Sequence, residues 1–444
     1  LLTGQRILVE CAAARPVEAV NNKAETFRDM NYMLNKIGVL CSVACLTIPT
    51  LRGASFDWPQ WRGPDRSDVS KETGLLKTWP AEGPKRVWLY EHAGEGYSGP
   101  AIVSGKLFTM GTRDGSECVL ALEADTGKEL WAAKTGSVFK ESRGNGPRAT
   151  PTVDGDRLYA MTAEGVLACV NVADGKVLWK QNMADLGGKR PTWGYTESVL
   201  VDGDHVVCTP GGPKGALAAF DKMTGKPAWQ SDKFTDSAHY ASIVAADLNG
   251  GRQYIQLTAQ SIVGISAKDG SVLWKSSFPG RVAVVPTPIC KDNCVYVTAG
   301  YGAGCKLVRI GAGNEVSDVY ENKVMKNHHG GVILVGDYLY GHADPGWTCQ
   351  NFKTGEEVWN YRGFGKGAIA FADGMLYCLD ESNGSVALID ASPKGWQEHG
   401  RFKLDPQTTI RTAQGRIWTH PVISNGKLYL RDQDLIYCYD VKAR

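Results

Sequence analysis

The stretch A-L-E-A-D-T-G-K-E-L-W, Ala121 to Trp131, decides how this chain is read, because it recurs. Four more copies align without gaps: C-V-N-V-A-D-G-K-V-L-W (Cys169–Trp179), A-F-D-K-M-T-G-K-P-A-W (Ala219–Trp229), G-I-S-A-K-D-G-S-V-L-W (Gly264–Trp274) and C-Q-N-F-K-T-G-E-E-V-W (Cys349–Trp359). Each has Gly at position seven and Trp at position eleven. The first four Trp are 48, 50 and 45 residues apart. A period of that size means one supersecondary unit per repeat, stacked or set in a ring.

Within a copy, the first residues alternate into a strand. D-T-G or A-D-G then turns the chain, with Gly taking the positive φ that other residues resist. The next strand ends in Trp. A Trp repeated once per unit can cover the joint between neighbouring units, its indole N–H reaching a backbone carbonyl. That is an architectural role rather than a cofactor-binding one.

A second signal, a turn followed by an apolar-aromatic strand, occurs eight times. The turns begin at Ser104, Asp154, Asp202, Gly250, Asp292, Gly336, Asp373 and Asn425. Each follows a short apolar strand such as G-P-A-I-V, T-P-T-V or H-P-V-I. Four short strands per unit, eight times over, predict an all-β chain: an eight-bladed β-propeller with four-stranded antiparallel blades. Units five and seven lack the full motif, at Leu307–Tyr320 and Ala387–Phe402. The eighth is split. C-Y-D-V-K-A-R (Cys438–Arg444) supplies positions one to seven, and K-R-V-W (Lys85–Trp88) supplies the rest. The N-terminal strand is thus expected to close the last blade and remove exposed sheet edges.

Across 444 residues, 43% are apolar and 22% charged, an ordinary composition for a domain with a large core. A net charge of +2 gives no field pointing to nucleic acid or an acidic membrane. The 52 Gly and 13 Trp are high counts that the repeats largely explain.

Ahead of the propeller, three segments are expected. Residues 1–29 have no initiating Met and no repeat, and read as an over-extended or non-structural segment. Residues 30–55 run M-N-Y-M-L-N-K, then I-G-V-L-C-S-V-A-C-L-T-I-P-T-L, then R-G-A-S, the form of a secretory signal. The apolar run is short for a membrane span, and a buried strand or helix is the other reading of it. Cys45 is a poor lipidation site, and cleavage is expected near Ser55. This implies a periplasmic or secreted protein with no transmembrane segment in its mature form. Residues 56–84 open with F-D-W-P-Q-W-R-G-P-D-R, a packed irregular lead segment suited to plug or cover one end of a ring. The propeller itself is expected over 85–444.

Of twelve Cys, nine follow the expected cleavage point, an odd number for a disulfide framework. Cys118, Cys169, Cys378 and Cys438 lie on alternating strand patterns and read as buried apolar residues. Cys290 and Cys294 flank a hairpin turn and are candidates to pair, with Cys305 as the alternative partner. No C-x-x-C-H haem motif or C-x-x-C metal pair is present.

The A-x-D-x-x-T-G-K-x-x-W signature resembles the repeat of pyrroloquinoline quinone (PQQ) type propellers. W-P-Q-W-R-G-P-D-R, T-P-G-G and N-H-H-G-G resemble phrases of secreted PQQ-binding-like propellers. The resemblance covers roughly Lys85 to the C-terminus and implies fold more strongly than function. One pole of that superfamily is the quinoprotein alcohol dehydrogenases, which use PQQ and Ca2+ to oxidise an alcohol or polyol. The other is BamB-like outer-membrane assembly scaffolds, which have no enzymatic activity. The dehydrogenase pole implies an oxygen-ligated Ca2+, a carboxylate base and a vicinal disulfide. This chain has no Cys-Cys pair, its Ca2+ ligands cannot be mapped, and it lacks the long insertions of those enzymes. The scaffold reading, with an envelope protein or polymer as partner, is therefore preferred, and no catalytic or metal-ligating residue is assigned.

Polar residues nevertheless gather where the innermost strands begin. They are Arg148 before A-T-P-T, Tyr195 and Glu197 in W-G-Y-T-E-S, His239 and Tyr240 in A-H-Y-A-S, His328 and His329 in N-H-H-G-G, Lys366 in G-K-G-A-I, and Trp418 and His420 in W-T-H-P-V. A ring converges such positions on one funnel, where a small ligand or PQQ would sit. Arg148 and Lys366 suit carboxylate or quinone oxygens, Glu197 a cation or a proton, and the His groups protonation near neutral pH. A merely solvated channel is the other reading. Adjacent His328 and His329 are expected to face opposite ways if they lie on a strand.

Overall fold

The computed structural model describes residues 55–444. The segment 1–29 and nearly all of the expected signal over 30–55 lie outside the described residues. Eight four-stranded antiparallel sheets form an eight-bladed β-propeller. The first blade runs Ala101–Val103, Lys106–Arg113, Ser116–Glu123 and Glu129–Ser137, from innermost to outermost strand, and the next six follow the same order. The eighth takes Val422–Ser424, Lys427–Asp432 and Leu435–Asp440, then Arg86–Tyr90 as its outer strand. Trp88 pairs there with Cys438 and Arg86 with Tyr439, so the two ends of the propeller close on each other. All eight predicted turns join a first strand to a second. No helix among the described residues is long and apolar enough to cross a membrane.

The repeated Gly and Trp are two halves of one joint. The indole N–H of Trp131, in the first blade, donates to Val172 O of the second at 3.3 Å, and that of Trp179 to Lys222 O of the third at 3.1 Å. Trp88 and Trp359 likewise donate to Ala124 O at 3.0 Å and Ser392 O at 2.9 Å. The indoles of Trp88, Trp131, Trp179 and Trp229 each lie on the Gly of the next blade. A methyl at Gly175 would come 2.6 Å from Trp131 Cε3, and one at Gly127 would come 2.8 Å from Trp88. Gly175 has φ +75°, so the residue is needed both for the turn and for the room it leaves. A β-bulge immediately before Trp88, Trp131, Trp179 and Trp359 turns each ring toward its neighbour and leaves Val87, Leu130, Leu178 and Val358 exposed.

Where the motif lapses, the joint is remade. Tyr320 replaces Trp in the fifth blade, and its hydroxyl donates to Phe352 O at 2.9 Å. Trp274, facing that blade, turns into its own and donates to Gln253 Oε1 at 2.7 Å.

All nine described cysteines are free thiols. Cys290 stands opposite Val295, and Cys294 opposite Lys291. Partners across a ladder share a face and neighbours along a strand do not, so Cys290 and Cys294 point to opposite faces. The expected pairing is therefore not formed, and Cys305 instead lies against Asn322 and Gln350.

The lead segment crosses the ring. Trp58 bridges Ile102 of the first blade, and Pro59 O accepts Val153 N–H of the second at 2.8 Å. Arg66 donates to Ser198 O and Val199 O before the third blade, and Arg62 donates to Val332 O of the sixth at 2.6 Å. Val69–Ser70 adds a short parallel strand to the seventh. Arg62, Arg66 and Asp68 have φ of 61°, 51° and 58°, unusual for non-glycine residues. Such strain persists where surroundings over-determine it, and here buried carbonyls on several blades hold both guanidinium groups.

Candidate functional site

The connections between blades enter the innermost strands as extended chain. Their hydroxyl residues link one entry to the next. Ser198 Oγ accepts Thr150 N–H at 2.8 Å, and Ser242 Oγ accepts Ser198 N–H at 3.0 Å. Above this belt the connections surround a cup of about 300 Å³. Residues from every blade junction line it, together with Trp61 of the lead segment. Trp61 is fixed there by Thr287 Oγ1 at 3.0 Å and by the His420 ring at 4.5 Å.

Of the residues singled out in the sequence, Arg148, Tyr240, His328, His329, Lys366 and Trp418 line this cup. Tyr195, Glu197, His239 and His420 do not. Tyr195 is buried within the blades and donates to Pro210 O at 3.0 Å. Glu197 is buried and accepts Thr209 N–H at 2.7 Å and Oγ1 at 3.1 Å. Burial raises its carboxyl to about 7. His239 Nδ1 accepts Val284 N–H at 3.2 Å, and burial lowers its pKa. His420 lies beneath Trp61, 2.9 Å from Asp68 Oδ2 and 3.0 Å from His329 O.

The alternation of extended chain explains this sorting: Thr196 faces the cup, so Tyr195 and Glu197 on either side of it face into the blades. His328 and His329 depart from the expectation of opposite faces, because they lie in a loop before Val332–Val335 rather than on a strand. Their rings are 3.6 Å apart, at 34°. They belong to a row of rings, Tyr301–His328–His329–Trp418–Tyr97, with successive centroids 4.5, 3.6, 4.9 and 5.0 Å apart.

Arg148 is held as a strut rather than left free. It donates to Gly146 O and Gly144 O, pairs with Glu141 at 3.2 Å and lies over Phe139 at 4.6 Å. Lys366 Nζ is 2.7 Å from His328 Nδ1 and 3.8 Å from Glu381 Oε1. An ammonium only donates, so His328 Nδ1 is the acceptor and Nε2 carries the ring proton. Burial, then the Lys366 and Arg143 charges, push His328 down to about 3. Burial raises Glu381 to about 7 against the attraction of Lys366 and Arg416.

Sequence reading missed Arg143, Arg416, Glu381, Trp61, Trp193, Tyr97 and Tyr301, all of which line the cup. Arg143 lies 5.2 Å over the Trp193 ring. Neither Arg143 nor Arg416 forms an ion pair among the described residues. Tyr301 and Glu381 come from hairpins between second and third strands, which carry no inner-strand signal. Alternation around Thr196 was the one pattern that offered a better guide.

Cationic and aromatic groups suit a quinone's carboxylates, but the oxygen ligands of a Ca2+ partner are not assembled. Glu141 is taken by Arg148, Glu381 stands between Lys366 and His329, and Glu197 is turned away. No group of three or more His, Cys, Asp or Glu side chains among the described residues is arranged to hold a metal ion. The site does not fit a PQQ–Ca2+ pair.

A family model described as outer membrane protein assembly factor BamB matches residues 113–361, more than half of the chain. The BamB proteins of Shewanella oneidensis and Burkholderia pseudomallei are 22% and 25% identical over 250 and 188 residues. Those alignments cover 53% and 40% of this chain and 56% and 45% of the relatives. The chain thus spans about half the length of the curated relatives it matches. A tetrathionate hydrolase of Acidithiobacillus ferrooxidans is 23% identical over 49% of this chain and 44% of its own length. Among solved structures, BamB from Moraxella catarrhalis superposes with TM-score 0.56 at 15% identity, over 80% of this chain and 99% of that one. Quinohemoprotein alcohol dehydrogenase from Comamonas testosteroni gives 0.58 at 10% identity, over 88% and 81%. At such identities both likenesses concern the fold alone.

Proposed function

The chain belongs to the family of the outer membrane protein assembly factor BamB, and from that premise we propose that it is an exported binding scaffold of the cell envelope. On this reading residues 30–55 direct export and the mature propeller acts in the periplasm or outside the cell. Its partner is an envelope protein or polymer gripped by the loops and rim.

Family membership carries this reading, and two features support it. The lead segment ties inner strands on several sides of the ring through buried arginines, giving a stiff platform. The rim around the cup carries exposed apolar side chains, Val282, Tyr301 and Ile410. Rigid display with an apolar rim suits partner binding.

The test is photo-cross-linking in cells, with a photoreactive residue in place of Val282 or Ile410. A discrete cross-link to one envelope component, lost when the same residue replaces Val319 on the outer circumference, is the expected result. Indistinguishable background from all three positions contradicts the proposal.

A further inference from the structure

The cup carries more than a rim. Four buried polar atoms of residues that line it make no close hydrogen bond within the protein: His328 Nε2, His329 Nδ1, Trp418 Nε1 and Glu381 Oε2, the last standing 4.0 Å from His329 Nδ1 and beside Trp418. Buried polar groups are nearly always paired, so four at one cavity mark a place where something else supplies the partner. Beside the Arg148–Glu141 pair, Arg143, Lys366 and Arg416 line the same cavity, and the carboxylate of Glu381 stands among them. Arg143, over the Trp193 ring, and Arg416, whose Nη1 donates to Ala413 O and Gly415 O, have no ion-pair partner among the described residues, so their charge is available to a ligand.

The rings set the shape. Successive planes along the wall meet at 81°, 34°, 39° and 47°, and Trp193 meets Tyr240 at 44°. None of these neighbouring pairs is parallel, so the wall curves from ring to ring. They form a bowl, which fits a puckered ring with apolar C–H faces. Hydroxyls around such a ring would meet the donors His328 Nε2–H and Trp418 Nε1–H and the acceptor Glu381 Oε2. A carboxylate on it would meet the guanidinium groups, which recognise that group by paired N–H donors.

We propose that the cup binds an acidic sugar, a puckered polyhydroxylated ring bearing a carboxylate, with Arg143 and Arg416 holding the carboxylate and His328, Trp418 and Glu381 the hydroxyls. A free sugar acid and the terminal unit of an acidic polysaccharide share this chemistry. The proposal does not rest on the scaffold reading, since it uses the cup's charged and polar groups rather than the rim side chains Val282 and Ile410.

The experiment is titration of the purified chain with glucuronate, glucose, benzoate and trigalacturonate, followed by calorimetry and by the fluorescence of Trp61, Trp193 and Trp418. Glucuronate is expected to bind saturably, with glucose and benzoate each weaker by about tenfold or more, the scale of one lost charge-assisted contact. Arg416→Ala and Arg143→Ala are each expected to weaken glucuronate about tenfold while leaving glucose binding and the melting temperature unchanged. Tighter binding of trigalacturonate identifies a polysaccharide end as the source, and equal binding a free sugar acid. Glucose or benzoate binding as tightly as glucuronate, or no saturable binding of either acidic sugar, overturns the proposal.

Discussion

Arg62 Nε lies 2.7 Å from Asp68 Oδ2, and both side chains are 1% exposed where the lead segment crosses the ring. The same carboxylate oxygen takes His420 Nδ1 at 2.9 Å, and His420 Nε2 reaches His329 O at 3.0 Å. One buried carboxylate thus connects the lead segment to the wall of the cup.

Removing that carboxylate leaves Arg62 buried without its counter-ion. Asp68→Ala is expected to cost about 3–5 kcal/mol, because breaking one side of a buried pair is far worse than replacing both. Arg62→Met combined with Asp68→Leu is expected to cost much less. Guanidinium unfolding curves of the three proteins check this, and equal losses in both variants contradict it.

Gly175 and Gly155 separate the two duties of a repeat glycine. Gly175 has φ +75° and a Cβ site 2.6 Å from Trp131, whereas Gly155 has φ +59° and nothing within 4 Å. Gly155→Ala should cost about 1 kcal/mol, the backbone term alone. Gly175→Ala should cost about 2–4 kcal/mol, because the indole must also leave its seat. Thermal melts decide, and equal losses contradict the joint described above.

That joint shows what was legible in the sequence. Gly at seven and Trp at eleven serve a contact that recurs between several blades, so the copies expose it, and the split eighth unit exposes the closure. The cup was legible only in part, because its residues come from connections of unequal length that share no motif. Arg143, Arg416 and Glu381 are brought together by ring geometry alone. Glu197 misled because a carboxylate at an inner-strand entry says nothing about which face it takes, and one step of alternation sends it to Thr209 instead of the cup.

Glu197 gives a pH signature. Burial raises its carboxyl to about 7, above the ordinary value of 4.5. Between those values the folded chain holds a proton that the unfolded chain has released, so this group's contribution to stability falls as pH rises from 4.5 through 7. Glu117 and Glu381, raised to about 7 by burial, act in the same direction. His328 and His342, lowered by burial to about 3 and 4, act oppositely below pH 6.5. The carboxylate effect is therefore read as a difference. Glu197→Gln should gain on the wild type as pH rises from 4.5 to 7, by about 3 kcal/mol at most. A pH-independent difference in urea unfolding contradicts this.

Export predicts a processed N-terminus. Sequencing of the natural protein recovered from periplasm or medium should begin near Ser55 or Phe56. A chain beginning at Met30 and recovered from cytosol contradicts it.

The central claim, a binding scaffold rather than a quinoprotein, is tested most directly by reconstituting the purified chain with PQQ and Ca2+ and following dye reduction with alcohols and polyols. The account predicts no saturable substrate-dependent dye reduction beyond that of free PQQ and Ca2+. Saturable alcohol oxidation by the reconstituted protein would contradict it.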